Sequence, residues 1–178
     1  MKKTSNSPKR KNTSNKIGAK FEDRVQHKLD EYKNLGLCCM SKVPTEFKIL
    51  RGAMGKIVSA FPVSESKFVD FTGVIKNVGH CDIETKTSAN KTSFPLSNIK
   101  ETQFEYFHYM YYEMNQRHLY FLIEFREQNE VYLVKAIEVE NFKNTNTRKS
   151  IPYQWFKETA ILIEDLDFLP YIIQNNTY

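Results

Sequence analysis

Asp70, Glu84 and Lys86 are the residues whose types and spacing invite a chemical reading. They lie near the two ends of VDFTGVIKNVGHCDIETK, Val69 to Lys86, a stretch otherwise made mostly of apolar, small and turn-forming residues. The runs KFVDFTGVI and HCDIETK within it read as β-strands, and the residues near Asn77 to Gly79 between them read as a turn. Successive side chains of a strand point to opposite faces. Cys81, Ile83 and Thr85 therefore share one face of the second strand, and Asp82, Glu84 and Lys86 the other. A turn centred near Val78 sets Asp70 roughly opposite Lys86 and Glu84 roughly opposite Thr72, all on one face. Diagonal neighbours in a hairpin lie about 7–8 Å apart, so two carboxylates can converge on one divalent ion with Lys86 at its flank. Their hard oxygens favour magnesium, and manganese also fits. Such an ion activates water and shields a phosphodiester's charge. A lysine beside it orients that water or stabilises the phosphorane charge.

A second signal lies downstream. NIKETQFEYFHYMYYEMNQ has helical spacing, with an apolar stripe of Ile99, Tyr106, Phe107, Met110 and Met114. Ser97 or Asn98 is placed as N-cap, with Glu101 set for a capping box. Gln103 falls on the stripe, where an amide needs a partner, and its carbonyl oxygen is a suitable metal ligand. Upstream, KIGAKFEDRVQHKLDEYKNLG repeats Phe21, Val25, Leu29 and Tyr32 at helical spacing, and Gly36 can stop the helix. Glu22 lies beside that stripe, at the border of buried and exposed. Each feature has a plainer explanation. An E-x-K pair on a strand is commonly a solvated ion pair, an Asp before a turn is common, and a Gln can sit at the edge of burial. The combination of Asp, hairpin-length gap, E-x-K, Gln on the next helix and Glu22 upstream points to a metal-dependent nuclease core.

Those residues need a scaffold. LCCMSKV reads as a short strand ended by Pro44. TEFKILRGAMGKIVSAFPVSESK mixes short apolar runs with Lys48, Arg51 and Lys56 around two glycines. It reads as an excursion, a hairpin with RGAMGK at its tip. LYFLIEF and VYLVKAI read as strands separated by REQNE, followed by a short helix at EVENFKN, a basic turn TRKSIP and a C-terminal segment. The order predicts an α/β chain of the α+β kind, a mixed sheet with a helix on each side.

At 178 residues the chain suits one domain with its own core. Its first 20 residues hold seven Lys or Arg and no acid. Residues 1–16 therefore read as a basic disordered arm, suited to nucleic acid or an anionic membrane surface, or serving only as a solubilising tail. No apolar run approaches the ~18 residues of a membrane span, and the start lacks a secretory core. Cys38, Cys39 and Cys81 form neither a CxxC spacing nor a disulfide framework. That argues against zinc and fits a reducing, cytoplasmic setting.

The core resembles the PD-(D/E)xK arrangement, with Asp70 as its Asp and Glu84-Thr85-Lys86 as its E-x-K. FVDFTGVIKN, IETKTSANKTSFPLSNIKETQ and TRKSIP together resemble the RecU-type Holliday junction resolvases, a likeness running from NKIGAKFED into the C-terminal third. The resemblance implies a restriction-endonuclease-like nuclease core over residues 17–178, with a projecting stalk at about 46–66. It implies a homodimeric, magnesium-dependent endonuclease that cuts four-way DNA junctions symmetrically in recombination and repair. It also implies metal ligation by Asp70, Glu84 and Gln103, a catalytic role for Lys86 joined by Glu22, and DNA contacts from Arg51, Lys56 and Lys48. A RecA-type recombinase is an implied partner. Three residues depart from the family pattern: Phe68 stands where Thr is frequent, Phe71 where Tyr is, and Thr85 where Ala is. Two alternatives stay open. One is a non-cleaving junction-binding or annealing factor that modulates the recombinase; the other is a different nuclease of the superfamily. The intact Asp70, Glu84 and Lys86 speak for cleavage, and TSFPLSN and RKSIP speak against another nuclease.

Overall fold

The computed structural model describes residues 11–44, 47–62 and 68–174. Phe21, Val25, Leu29 and Tyr32 are all buried, so the apolar stripe does pin the first helix, α1 (Lys11–Asn34), to the sheet. Gly36 ends it in the left-handed region, φ 68°. Of the basic arm expected at 1–16, residues 1–10 lie outside the described residues, and from Lys11 the backbone is already helical.

Six strands build the main sheet: β1 (Cys38–Lys42), β4 (Phe71–Ile75), β5 (Gly79–Ser88), β7 (Leu119–Phe125), β8 (Glu130–Lys135) and β10 (Ile161–Ile163), in that spatial order. Among the described residues only β5 and β7 pair in parallel. Parallel neighbours need a crossover, and α2 (Glu101–Tyr112) supplies it. α3 (Ala136–Thr145), α4 (Tyr153–Thr159) and α5 (Leu169–Gln174) complete the helices. The alternation along β7 sends Tyr120 and Leu122 to a core shared with α1 and α5. Phe121, Ile123 and Phe125 go to a core shared with α2, α3 and α4. The molecule is thus an α+β mixed sheet covered on both faces, as expected. A small sheet of β6 (Ser93–Pro95) and β9 (Ser150–Pro152) joins TSFP to KSIP. No helix among the described residues is long and apolar enough to cross a membrane.

The excursion is a hairpin, β2 (Phe47–Arg51) and β3 (Ile57–Pro62), with a single 3-10 turn at Ala53–Gly55 as its tip. Residues 46 and 63–66 of the expected stalk lie outside the described residues. Met54 at the tip is 92% exposed, and Ile49, Leu50, Ile57 and Val58 are exposed too.

Three expectations need correction. The β4–β5 turn is centred on Asn77, at φ 63°, rather than on Val78. Thr72 accordingly opposes Asp82, and Asp70, just ahead of β4, falls in line with Glu84 instead of Lys86. The change is by two residues, and because side chains alternate with period two, every residue keeps its face. The cap of α2 is Lys100, not Ser97 or Asn98, which are taken up in a 3-10 turn. The buried side of α2 is Gln103, Phe104 and Phe107, whereas Met114 lies beyond the helix and is exposed.

Candidate active site

Asp70 sits where β1, β4 and β5 meet. Its carbonyl accepts the Val43 N–H at 2.8 Å, which ties its backbone to the edge strand. Its Oδ2 accepts both the Thr85 N–H at 2.9 Å and the Thr85 hydroxyl at 2.5 Å. Thr85, one of the departures from the family pattern, therefore positions an acid directly. Gly73, three residues on, has to be glycine: a Cβ there would lie 2.2 Å from the Cys39 carbonyl oxygen and 2.5 Å from Met40 Cα.

Glu84 lies on a central strand and is almost fully buried. Its Oε1 accepts from Lys86 Nζ at 2.7 Å and from Gln103 Nε2 at 2.6 Å. Its Oε2 is buried without a hydrogen-bond partner. Burial, and then the negative charge of Asp70, push the Glu84 carboxyl up to about 7, against the opposing pull of Lys86 and Gln103. A buried acceptor left without a donor in an acidic setting fits a cation, which would satisfy the oxygen and offset the repulsion between the two acids. Among the described residues no three His, Cys, Asp or Glu side chains gather as a ready cage. Two carboxylates with a neighbouring amide suit a magnesium-like ion, which keeps water and phosphate oxygens as its other ligands.

Gln103 reaches the cluster because α2 crosses over β5. Its Oε1 accepts the Lys100 N–H at 3.2 Å, capping the helix, while its amino group holds Glu84. The amide oxygen thus faces the backbone, and it would reach an ion beside Glu84 by turning over. Lys86 lines a cleft with Gly18, Ala19, Glu22, Thr85, Thr87 and Asn98. Glu22 stands at that cleft in an ion pair with Lys42 at 2.9 Å. The structure brings Asp70, Glu84, Lys86 and Gln103 together, and puts Glu22 on the same cleft. Arg51, Lys56 and Lys48 belong to the hairpin instead. Arg51 donates to the Gly55 carbonyl at 3.1 Å across the tip, Lys56 is exposed, and Lys48 pairs in register with Phe61.

One acid was on the correct face but had no role assigned from sequence. Asp82 is fully buried, at 0% exposure. It accepts from the Thr72 hydroxyl at 2.6 Å and from the Tyr106 hydroxyl at 2.8 Å. His80 Nε2 comes within 3.0 Å of it without forming an aligned hydrogen bond. Burial and the bond to Asp82 raise the Tyr106 phenol, so it remains a donor. The signal in the sequence was the shared face with Glu84. The donors could not be read there, because they come from β4 and from α2. Of the other departures, Phe71 is a core residue facing α1, and Phe68 stacks on Tyr106 with ring centroids 5.3 Å apart. Cys38 and Cys81 are buried free thiols and Cys39 is an exposed one.

A covered mixed sheet with Asp70, Glu84 and Lys86 on a central hairpin and Gln103 on the crossover helix is consistent with the nuclease core of the restriction-endonuclease-like class. The chain belongs to the Recombination protein U family, whose family model matches residues 16–174. It is similar to proteins named Holliday junction resolvase RecU. The one from Oceanobacillus iheyensis is 32% identical, with 82% of this chain and 76% of that protein covered. The one from Lactococcus lactis subsp. cremoris is 31% identical, with 88% and 76% covered. The one from Bacillus cytotoxicus is 29% identical, with 86% and 79% covered.

Proposed function

We propose that this protein is a junction-resolving endonuclease, which hydrolyses one phosphodiester in each of two opposed strands of a four-way DNA junction. The observation that carries this reading is the cluster of buried Asp70, Glu84 and Gln103 with half-buried Lys86 and the partnerless Oε2 of Glu84, in a member of a family whose relatives bear that name. Asp70 and Glu84 would hold a magnesium ion, or manganese, and Gln103 would turn its amide oxygen toward it. When bound, the ion supplies Lewis-acid activation of water and screening of the phosphate charge. Thr85 keeps one oxygen of Asp70 fixed, so the acid needs no reorganisation on binding. With a cation bound, Glu84 would no longer depend on the Lys86 ammonium that pairs with it here, and Lys86 would be left to face the attacking water or a phosphate oxygen. Glu22, held by its ion pair with Lys42, lines the cleft beside Lys86 where the nucleic-acid backbone would enter.

Junctions share shape rather than sequence, so binding is dominated by phosphate contacts and falls steeply with salt. Arg51, Lys56 and Lys48 on the β2–β3 hairpin are the proposed contacts at the junction centre. Two symmetric incisions call for two sites, hence a two-fold dimer. The test uses a synthetic four-way junction with magnesium and compares wild type with Asp70→Ala and Lys86→Ala. Wild type is expected to nick opposed arms in pairs, while both variants bind without cutting. A wild type that binds but never cuts, with magnesium or with manganese, would overturn the reading and leave a junction-binding factor.

A further inference from the structure

Phe68 lies two residues before Asp70 and is 45% exposed. Single exposed apolar side chains are ordinary on protein surfaces, but this one is held from behind. Its ring lies nearly parallel to that of Tyr106, at an interplanar angle of 10° and 5.3 Å between centroids. Tyr106 cannot drift. Its hydroxyl donates to the fully buried Asp82 at 2.8 Å, and Asp82 is itself fixed by the Thr72 hydroxyl. The edge of Tyr106 also packs on the core residue Phe107. Val69, between Phe68 and Asp70, is buried and anchors the backbone under the exposed ring. Tyr106 is three residues beyond Gln103 on α2, so both project from one side of that helix. One face of the Phe68 ring is thus covered by a fixed support while close to half of the residue stays exposed, and the pair borders the acidic cluster through both Asp70 and Gln103.

We propose that Phe68, backed by Tyr106, is a stacking step for a nucleobase flanking the phosphodiester that is cut. The inference rests on the nuclease reading of the adjacent cluster and adds the base to the phosphate. A flat ring suits this ligand because every base offers a π-face whatever its sequence. A branch point offers bases whose own stacking is interrupted. Holding such a base beside Asp70 sets the register of the strand, which phosphate contacts alone leave loose. The buried Asp82 then serves as a positioning residue, acting through the Tyr106 ring.

The experiment compares wild type, Phe68→Ala and Phe68→Trp on a four-way junction, intact or carrying one abasic site next to the mapped cut. Junction affinity is read with calcium in place of magnesium, and single-turnover cutting with magnesium. Phe68→Ala alone and the abasic site alone are each expected to weaken binding or cutting roughly 5- to 100-fold. Together they should cost no more than one of them, while Phe68→Trp stays near wild type. Because the ring is half exposed, Phe68→Ala should leave the unfolding midpoint almost unchanged. Losses that multiply, or a Phe68→Ala variant within about twofold of wild type, would overturn the stacking step while leaving the nuclease reading intact. So would a variant that loses self-association in sedimentation but keeps its affinity for the junction, since the ring would then contact protein. A wild type that cuts no junction overturns the nuclease reading itself, and the step with it.

Discussion

Glu84→Gln removes the ionisable group at the centre of the site while keeping its size and its Oε1 acceptor for Lys86 and Gln103. In the folded, metal-free protein the Glu84 carboxyl titrates at about 7, against an ordinary 4.5. A folded-state value above the unfolded one means that the fold favours the protonated form. The corresponding stability is fully present below about pH 4.5 and is lost as pH rises through about 7. A gap of about 2.5 pH units at about 1.4 kcal/mol each comes to about 3–4 kcal/mol, most of it lost between about pH 5 and 8. The group is buried, so solvent screening does not erode the figure. Urea unfolding in EDTA across that range isolates the effect as the difference between wild type and Glu84→Gln. The variant should gain on wild type by about 3 kcal/mol as pH rises, equivalent to roughly 6–12 °C in Tm for a chain of this size. Magnesium at about a hundred times its Kd should return about 2.7 kcal/mol to wild type at pH 8 and none to the variant. A wild-type-minus-variant difference that stays flat with pH would refute the argument that burial and Asp70 strain this carboxylate.

Thr85→Ala keeps the backbone N–H on Asp70 but loses the hydroxyl; unfolding in urea should show a loss of roughly 1.5–3 kcal/mol, and magnesium affinity should fall with it. Gly73→Ala drives a methyl into the backbone of β1, and denaturation should reveal a loss of about 3 kcal/mol or more, or no folded protein. Arg51→Ala combined with Lys56→Ala should weaken binding to a four-way junction more than to duplex of equal length, as read by titration at fixed salt; equal losses would remove the hairpin from the junction centre.

Residue types and period-two alternation were enough to put Asp82, Glu84 and Lys86 on one side of β5 and to couple them to Asp70 across a turn. The face survived an error in the turn centre because a two-residue change of register preserves parity. The helical stripe of α1, the hairpin of β2 and β3 and the paired strands β7 and β8 were likewise legible, since each rests on local periodicity and turn chemistry. The cap of α2 was not, because Ser97 and Asn98 were spent in a 3-10 turn and Gln103 took over the capping. Which atoms meet was decided only in three dimensions. Thr85 binds Asp70, Gln103 turns its amino group to Glu84, and Tyr106 joins buried Asp82 to exposed Phe68. The physical reason is that alternation along a strand is a property of the local backbone, read directly from order. A buried carboxylate must find donors wherever packing delivers them, here from β4 and from a helix some 20 residues further along the chain.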